Sequence, residues 1–282
     1  MIDMSIRWLV LLCFVSVWGD REPDSSPRAA PPAASSAVSA SSASALEKEL
    51  VVFGAASLRD VFVELGRTFE ARHPGVAVHF QFAGTQELRT QVEQGASADV
   101  FAAADTKHVA ALLEGKWVEA PRIFAKNEPV LIAPSDTPRP RDLRELPDAT
   151  RIVLGVPDVP IGRYSLQILD RSAQLYGADF RTRVEAHVVS RELNVRQILT
   201  KVSLGEADAG FVYRSDVIAR PEGVRVVTLP PSVNVVAEYP IAVVAKAAHP
   251  LAARAWISLI FSAEGRASFE HAGFLPPDSK TP

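Results

Sequence analysis

Small and hydroxyl-bearing residues stand at three points where an apolar strand pattern gives way to a helix pattern. Ser57 ends the turn GAAS, Thr85 ends the turn FAGT, and Ile161 and Gly162 lie in the turn VPIG. At a helix start the first backbone N–H groups lack intrahelical partners and the helix dipole is positive, so an anion is a natural occupant. The hydroxyl groups of Ser57 and Thr85 add hydrogen-bond donors. Tyr213, in the segment FVYRSD, offers a further hydroxyl.

Each of these residues also has a purely structural explanation. Serine and threonine are among the preferred helix caps whatever a protein does. A tyrosine in a strand, such as Tyr213, is ordinarily a half-buried core residue. Three arginines near the turns, Arg163, Arg196 and Arg214, either add positive potential or belong to solvated faces. Only the joint occurrence of the turns, in order along the chain, favours a binding site.

Composition excludes several classes of protein. The chain has 282 residues, 48% of them hydrophobic, which is enough for one large domain or two small ones with proper cores. A formal net charge of -3 argues against a nucleic-acid partner, because neutralising phosphates needs a basic face. A single cysteine, Cys13, excludes an intrachain disulfide framework, and the six histidines show no HExxH pair. We therefore expect no bound cofactor and no metal held directly by side chains.

The N-terminal part differs in kind from the rest. A lone arginine precedes the apolar run 8–18, which is typical of a signal peptide, so residues 1–19 are predicted to direct export to the periplasm. Residues 20–48 are rich in Ala, Ser and Pro and cannot bury a core, so a disordered linker is predicted there. Cys13 is interpreted as a packed apolar residue. Acylation of Cys13 and an uncleaved N-terminal anchor stay open as alternative forms of membrane tethering.

From Leu50 onward, apolar β-type runs alternate with helical patterns, which indicates βαβ units with parallel strands. The first helical pattern places five apolar residues on one face: Leu58, Val61, Phe62, Leu65 and Phe69. Strands are predicted at 50–53, 76–83, 98–105, 129–134, 151–158, 183–190, 209–216 and 238–248. Asp105 is placed to cap the third helix. The closing segment 251–274 has helical spacing.

The order of these units predicts two Rossmann-like α/β lobes joined by a two-strand hinge. A proline-punctuated segment after residue 134 is a natural place to leave one lobe, and the apolar strand at 238–248 can carry the chain back. The first lobe is predicted to comprise residues 49–130 and 239–282. The second is predicted to comprise residues 131–238. In such α/β sheets, the turns described above lie at the carboxyl ends of the strands, where ligands usually bind.

Several separated motifs agree in order and spacing with a known family. The segments VVFGAASL, FAGTQELRTQVEQGASADVFAAAD, VPIGRYS, GFVYRSD and EYPIAVV resemble the periplasmic molybdate-binding proteins, which are solute receptors of molybdate ABC transporters. The resemblance covers about residues 50–274, nearly all of the folded part. It implies the type II periplasmic binding protein fold. It also implies a monomeric receptor that passes molybdate or tungstate to a membrane permease.

Carried over position by position, the resemblance places the family's oxyanion contacts on Ser57, Thr85, Ile161, Val195 and Tyr213. Ile161 and Val195 contribute their backbone N–H groups, and the other three contribute hydroxyls. The metal is then held as molybdate, without a direct bond from protein to metal. Thr85 stands where serine is frequent in the family, and Ile161 stands where a smaller residue is frequent.

None of these five positions carries a charged side chain, and this bears on the ligand. A fully ionised tetrahedral dianion only accepts hydrogen bonds, whereas phosphate near neutral pH keeps a proton that needs an acceptor. Molybdate, tungstate and sulfate carry the same charge, so cavity size must decide between them, and the resemblance favours the first two. A receptor for another oxyanion such as sulfate stays open as an alternative. So does an exported enzyme on the same fold, although the chain has no GxSxG, P-loop or GxGxxG motif.

Overall fold

A computed structural model describes residues 46–279. The predicted signal peptide, Cys13 and all but the last three residues of the predicted linker lie outside the described residues. Within 46–279, no helix has the length and apolar character needed to cross a membrane. The same residues contain no group of three or more His, Cys, Asp and Glu side chains arranged to hold a metal ion.

The described chain alternates strands and helices, as the sequence predicts. The strands between residues 46 and 279 are β1 (Glu49–Ala55), β2 (Ala77–Ala83), β3 (Val100–Ala102), β4 (Val118–Asn127), β5 (Pro129–Pro134), β6 (Ile152–Gly155), β7 (Val188–Glu192), β8 (Ala209–Tyr213), β9 (Val224–Val227) and β10 (Ala237–Val244). The α-helices are α1 (Arg59–Arg72), α2 (Thr85–Glu93), α3 (Thr106–Glu114), α4 (Pro160–Tyr176), α5 (Phe180–Glu185), α6 (Val195–Ser203), α7 (Arg214–Ala219), α8 (Pro250–Ile260) and α9 (Ala263–His271).

The strands form two five-stranded sheets, in the orders β2-β1-β3-β10-β4 and β7-β6-β8-β5-β9. We call the first sheet, with α1, α2, α3, α8 and α9, lobe I, and the second sheet, with α4 to α7, lobe II. Strand β1 runs parallel to β2 and β3, and β6 runs parallel to β7 and β8. The strands next to the crossings, β10 and β5, pair antiparallel with their neighbours. Each sheet is therefore mixed. The parallel strands of each sheet lead into the strand-to-helix turns that the sequence analysis singled out.

Lobe I is built around the apolar face that the sequence predicts for its first helix. The five predicted residues of that face are all buried. Trp256 of α8 is fully buried as well, and its ring meets that of Phe62 edge to face at 5.4 Å. Packed aromatic pairs of this kind hold an element at a fixed distance and angle. The packing therefore fixes α1 against α8, and with it the turn that leads from β1 into α1.

The chain crosses between the lobes twice, near the predicted places. Strand β4 ends at Asn127 in the first sheet, and β5 begins at Pro129 in the second. The predicted boundary after residue 130 falls inside β5, and the predicted return after residue 238 falls inside β10. A continuous apolar run does not reveal where the hydrogen-bonding partners of a strand change, so periodicity could not place these boundaries.

The folded part also begins earlier than predicted. Leu46 packs against the core, although the linker was expected to extend to residue 48. The carboxylate of Glu47 accepts hydrogen bonds from the backbone N–H groups of Leu251 and Ala252 at the start of α8. A carboxylate at a helix N-terminus satisfies free N–H groups and complements the helix dipole. These contacts fasten the start of the fold to its C-terminal helices.

Some elements of the structure differ from the prediction. Strand β4 was not predicted; Pro121 interrupts its pattern, and Ala120 has a positive φ of 41°. The strand predicted at 183–190 is the end of α5 followed by β7, because the first residues of that segment continue a short helix. The closing segment is two helices, α8 and α9, separated where Ser262 accepts a hydrogen bond from the backbone N–H of Gly265.

The close approach of α4 to strand β6 requires a glycine at position 162. A Cβ atom there would lie 2.2 Å from the carbonyl oxygen of Val156 and 2.7 Å from that of Gly155, both backbone atoms that cannot move independently. Gly162→Ala is therefore expected to lower the free energy of unfolding by about 1–3 kcal/mol. Gln167→Ala, at an exposed position of the same helix, is the control and should change it by less than ~0.5 kcal/mol. Urea melts of both variants test this, and equal midpoints would contradict it.

Candidate functional site

A small cavity lies between the two lobes, at the carboxyl ends of their parallel strands. Its wall includes all five residues of the predicted site: Ser57, Thr85, Ile161, Val195 and Tyr213. The remaining wall consists of Ala55, Ala56, Ala83, Gly84, Ala104, Val159, Pro160 and Asn194. The cavity volume is about 20 Å³, and a single water needs roughly 10–15 Å³. The space therefore suits one small solute and excludes a sugar or an amino acid.

Lobe I contributes two hydroxyls, neither of which caps a helix. Ser57 lies in a short 3₁₀ turn, Ala56–Leu58, and its side chain makes no capping hydrogen bond, so its interpretation as a helix cap is wrong. Its Oγ lies 2.9 Å from the hydroxyl of Tyr239. Thr85 is the first residue of α2, and its Oγ1 accepts a hydrogen bond from the backbone N–H of Ala104 at 3.2 Å. The hydroxyl hydrogen of Thr85 is thereby left for another partner.

Lobe II contributes two backbone N–H groups, because both residues open a helix. Ile161 is the second residue of α4. The N–H of Arg163, two residues later, donates to the carbonyl of Val159, so the N–H of Ile161 precedes the hydrogen-bonded part of the helix. Val195 is the first residue of α6. The side-chain oxygen of Asn194 accepts from the next two N–H groups of that helix, not from that of Val195. First-turn N–H groups have no intrahelical acceptor. Both helix starts therefore present donors to the cavity.

Tyr213 is the most constrained residue of the wall. It ends β8 and is 1% exposed, so it is a fully buried tyrosine and not a half-buried one. Its hydroxyl oxygen has no hydrogen-bond partner within residues 46–279. Burial raises the pKa of Tyr213 well above its usual value, so the hydroxyl stays protonated near neutral pH. A buried hydroxyl without a partner costs free energy, so this group needs a partner inside the cavity.

Charge surrounds the cavity but does not line it. No side chain of the wall is ionisable at neutral pH. Arg163 forms an ion pair with the fully buried Asp105 at 2.6 Å. Arg196 forms ion pairs with Asp60 at 2.5 Å and with Asp216 at 2.9 Å. Burial raises the pKa of Asp216 to about 6, although the charge of Arg196 acts in the opposite direction. The two arginines are therefore neutralised by partners and do not form solvated faces.

Polar contacts across the cleft hold the lobes together around the cavity. They join Asp105 to Arg163, Asp60 to Arg196, the side chain of Gln86 to the carbonyl of Leu193, and the ring of His108 to the carbonyl of Asp158. The first residue of each pair belongs to lobe I and the second to lobe II. Asp105 also caps α3, as predicted, by accepting from the backbone N–H of His108. The structure thus shows the two lobes closed on the site.

Sequence reasoning missed several residues in and behind the wall. Tyr239 lies in the recognised segment EYPIAVV, but nothing in that segment reveals that its hydroxyl reaches Ser57. Asn194 carries a cap signal, since asparagine precedes a helical pattern. Asp105 was expected only as a helix cap, and its pairing with Arg163 joins residues 58 positions apart. Contacts of that range depend on the fold and leave no periodic trace.

Comparison with protein families assigns the chain to a group. The family model described as bacterial extracellular solute-binding protein matches residues 50–275. The chain belongs to this family. The resemblance to periplasmic molybdate-binding proteins is confirmed as well. The protein is 38% identical over 235 residues to the molybdate-binding protein ModA of Mycobacterium tuberculosis, covering 82% of this chain and 85% of that protein. It is 32% identical over 216 residues to ModA of Escherichia coli, covering 73% and 80%.

Solved structures confirm the fold expected of a solute-binding protein. The periplasmic molybdate-binding protein of Azotobacter vinelandii superposes with a TM-score of 0.70 at 19% identity, covering 81% of this chain and all of that one. The sulfate-binding protein SubI of Mycobacterium tuberculosis superposes with a TM-score of 0.73 at 20% identity, covering 82% and 87%. At these identities the likeness shows the fold alone, the type II periplasmic binding protein fold. Both of these similar proteins are named as binding proteins.

Closure of the solute-binding protein depends on Gly84. A Cβ atom there would lie 2.3 Å from the carbonyl oxygen of Leu193 in the opposite lobe, and the local backbone, with φ -62° and ψ 141°, suits alanine. Gly84→Ala should therefore keep the melting temperature of the ligand-free protein and hold the lobes apart. Distances between labels on the exposed Glu64 and Glu206, measured with molybdate present, test this.

A matched control removes the contact without adding bulk. Gln86→Ala deletes the hydrogen bond to Leu193 but leaves room for closure, so its distance distribution should match that of the unmodified protein. If Gly84→Ala also closes fully, steric contact at this position does not govern closure.

Proposed function

We propose that this protein is an extracytoplasmic receptor that binds molybdate and tungstate between its lobes. It then delivers the anion to the membrane permease of an ABC importer. The observation that carries the proposal is the buried hydroxyl of Tyr213, which has no partner within residues 46–279 and borders a cavity walled by neutral donors. The relatives named ModA support molybdate as the ligand.

The chemistry of the wall matches a fully ionised oxyanion. Hydroxyls come from Ser57, Thr85 and Tyr213, and helix-start N–H groups come from Ile161 and Val195. Hydrogen bonds to a charged group contribute roughly 1.5–3 kcal/mol each. Several such bonds together offset the cost of removing the anion from water. The donors come from both lobes, so the ligand binds the closed state better than the open one and shifts the population towards it.

The closed state supplies what a transporter can recognise. An open receptor and a closed receptor differ in the surface formed by the rims of both lobes. We propose that the permease contacts this closed surface and that the receptor acts as a monomer exported to the periplasm. An enzymatic role is not supported, because the cavity wall has no ionisable side chain that could act as a general base and activate one of its hydroxyls as a nucleophile at neutral pH.

Titration calorimetry with four anions tests the ligand. Molybdate and tungstate should bind tightly, sulfate at least ~100-fold more weakly, and phosphate not measurably, because phosphate retains a proton. Native mass spectrometry of the protein purified without added ligand provides an independent check for a bound metal oxyanion. Equal binding of sulfate and molybdate would support the alternative, a sulfate receptor.

Removal of the Tyr213 hydroxyl tests the observation that carries the proposal. Tyr213→Phe deletes one donor to the anion and should weaken molybdate binding by about 10–150-fold. It also removes a buried group that has no partner in the protein, so the melting temperature of the ligand-free protein should stay the same or rise. Unchanged affinity would show that Tyr213 does not contact the ligand.

A further inference from the structure

Buried polar side chains lie between the hinge and the cavity. The hydroxyl of Tyr239, on the returning strand β10, lies 2.9 Å from Ser57 Oγ. The side-chain amide of Asn127, at the end of β4, is buried as well and donates to Ser215 Oγ at 2.8 Å. All four side chains are at most 3% exposed. The returning hinge strand is thus linked by a hydrogen bond to a residue of the predicted site.

Counting hydrogens fixes the direction of this bond. Within residues 46–279, the Tyr239 hydroxyl has one hydrogen-bond partner, Ser57 Oγ. Because the Tyr239 side chain is fully buried, its hydrogen would have no acceptor if Ser57 donated the bond, so Tyr239 is the donor. Ser57 is the acceptor at 2.9 Å. The hydrogen of Ser57 is consequently left for the cavity.

The other polar side chains of the wall have their acceptor positions occupied in the same way. Thr85 Oγ1 accepts from the backbone of Ala104, and the oxygen of Asn194 accepts from two N–H groups of α6. Tyr213 is the remaining hydroxyl. If it accepted a hydrogen bond from a ligand, its own hydrogen would need another acceptor, and its oxygen has no partner within residues 46–279. The wall is therefore arranged to donate.

We propose that Tyr239 is a positioning residue that turns the Ser57 hydroxyl towards the ligand and so makes the site reject anions that carry a proton. The inference rests on the proposed function and adds the residue that enforces its selectivity. Monohydrogen phosphate needs one acceptor in the wall, and the hydrogen bond from Tyr239 takes up one lone pair of Ser57 Oγ and turns the Ser57 hydrogen towards the ligand. Without the Tyr239 hydroxyl, Ser57 is free to accept from such an anion.

Tyr239→Phe tests the proposal, because it removes the hydroxyl and keeps the ring against Phe274 and Tyr213. Tungstate affinity should fall by about 10-fold or more, since the Ser57 hydroxyl is no longer held in place. Phosphate, which should not displace tungstate from the unmodified protein, should displace it from the variant. Tyr176→Phe, which removes a hydroxyl far from the cavity wall, is the control and should change neither property.

The two anions separate a positioning role from a merely structural one. Loose packing would weaken tungstate binding without admitting phosphate. If Tyr239→Phe lowers the tungstate affinity and still excludes phosphate, the proposal is overturned. Unchanged tungstate affinity would overturn it as well. If the unmodified protein binds no tetrahedral oxyanion, the proposed function fails. If the unmodified protein binds sulfate and not tungstate, the same displacement by phosphate is measured with bound sulfate, and the role of Tyr239 is still tested.

A measurement on the unmodified protein covers the case in which the variant does not fold. In the tungstate complex, the hydroxyl hydrogen of Tyr239 should be protected from exchange and give a nuclear Overhauser contact to the β-hydrogens of Ser57. If the spectra show instead that the Ser57 hydroxyl donates its hydrogen to the Tyr239 oxygen, the direction of donation is the opposite one and the proposal is overturned.

Discussion

Backbone N–H groups at helix starts have no partners within the helix, and the architecture of this protein depends on where those groups point. A multiply charged anion that leaves water must recover its hydrogen bonds, and opposite charges are not available in a neutral cavity. The parallel strands of both sheets end at the cleft, so the helices that follow them begin there. Small residues such as Ala55, Ala56 and Gly84 let these helix starts approach a single small volume. Mixed sheets, two lobes and a double crossing are the scaffold that brings them together.

The charges of the protein lie one layer outward, and their function is different. Asp105 with Arg163, and Asp60 with Arg196, join the lobes beside the cavity without entering it. Each pair is at least partly buried, so it contributes to the closed state while leaving the potential inside the cavity to helix dipoles and hydroxyls. Because the charged side chains lie outside the cavity, its wall can be neutral even though an arginine directly follows two wall residues, Val195 and Tyr213. The ion pairs thus contribute to closure from outside the cavity, while the anion bridges the lobes from inside it.

Much of the fold was predictable, and the failures have identifiable causes. The apolar face of α1 and the alternation of strands and helices follow from periodicity, because a helix buries every third or fourth residue and a strand every second. Strand β4 escaped prediction because Pro121 and the positive φ of Ala120 break the pattern. The predicted lobe boundaries, after residues 130 and 238, fall inside strands β5 and β10. A residue near a crossing looks the same in sequence whichever sheet it joins.

The sequence by itself determined the turns, the helix starts behind them and, through its motifs, the five residues that meet at the cavity. These are local features, encoded by residues within one turn of one another. Only the tertiary structure decided what Ser57 does: it caps no helix and instead meets Tyr239, 182 positions away. The same holds for Arg163 and Arg196, which the sequence left between solvated faces and background potential and which the fold pairs with carboxylates of the opposite lobe, whereas Arg214 is half exposed and pairs with Glu128. Long-range contacts depend on how the lobes close, and no local pattern of residue types records that geometry.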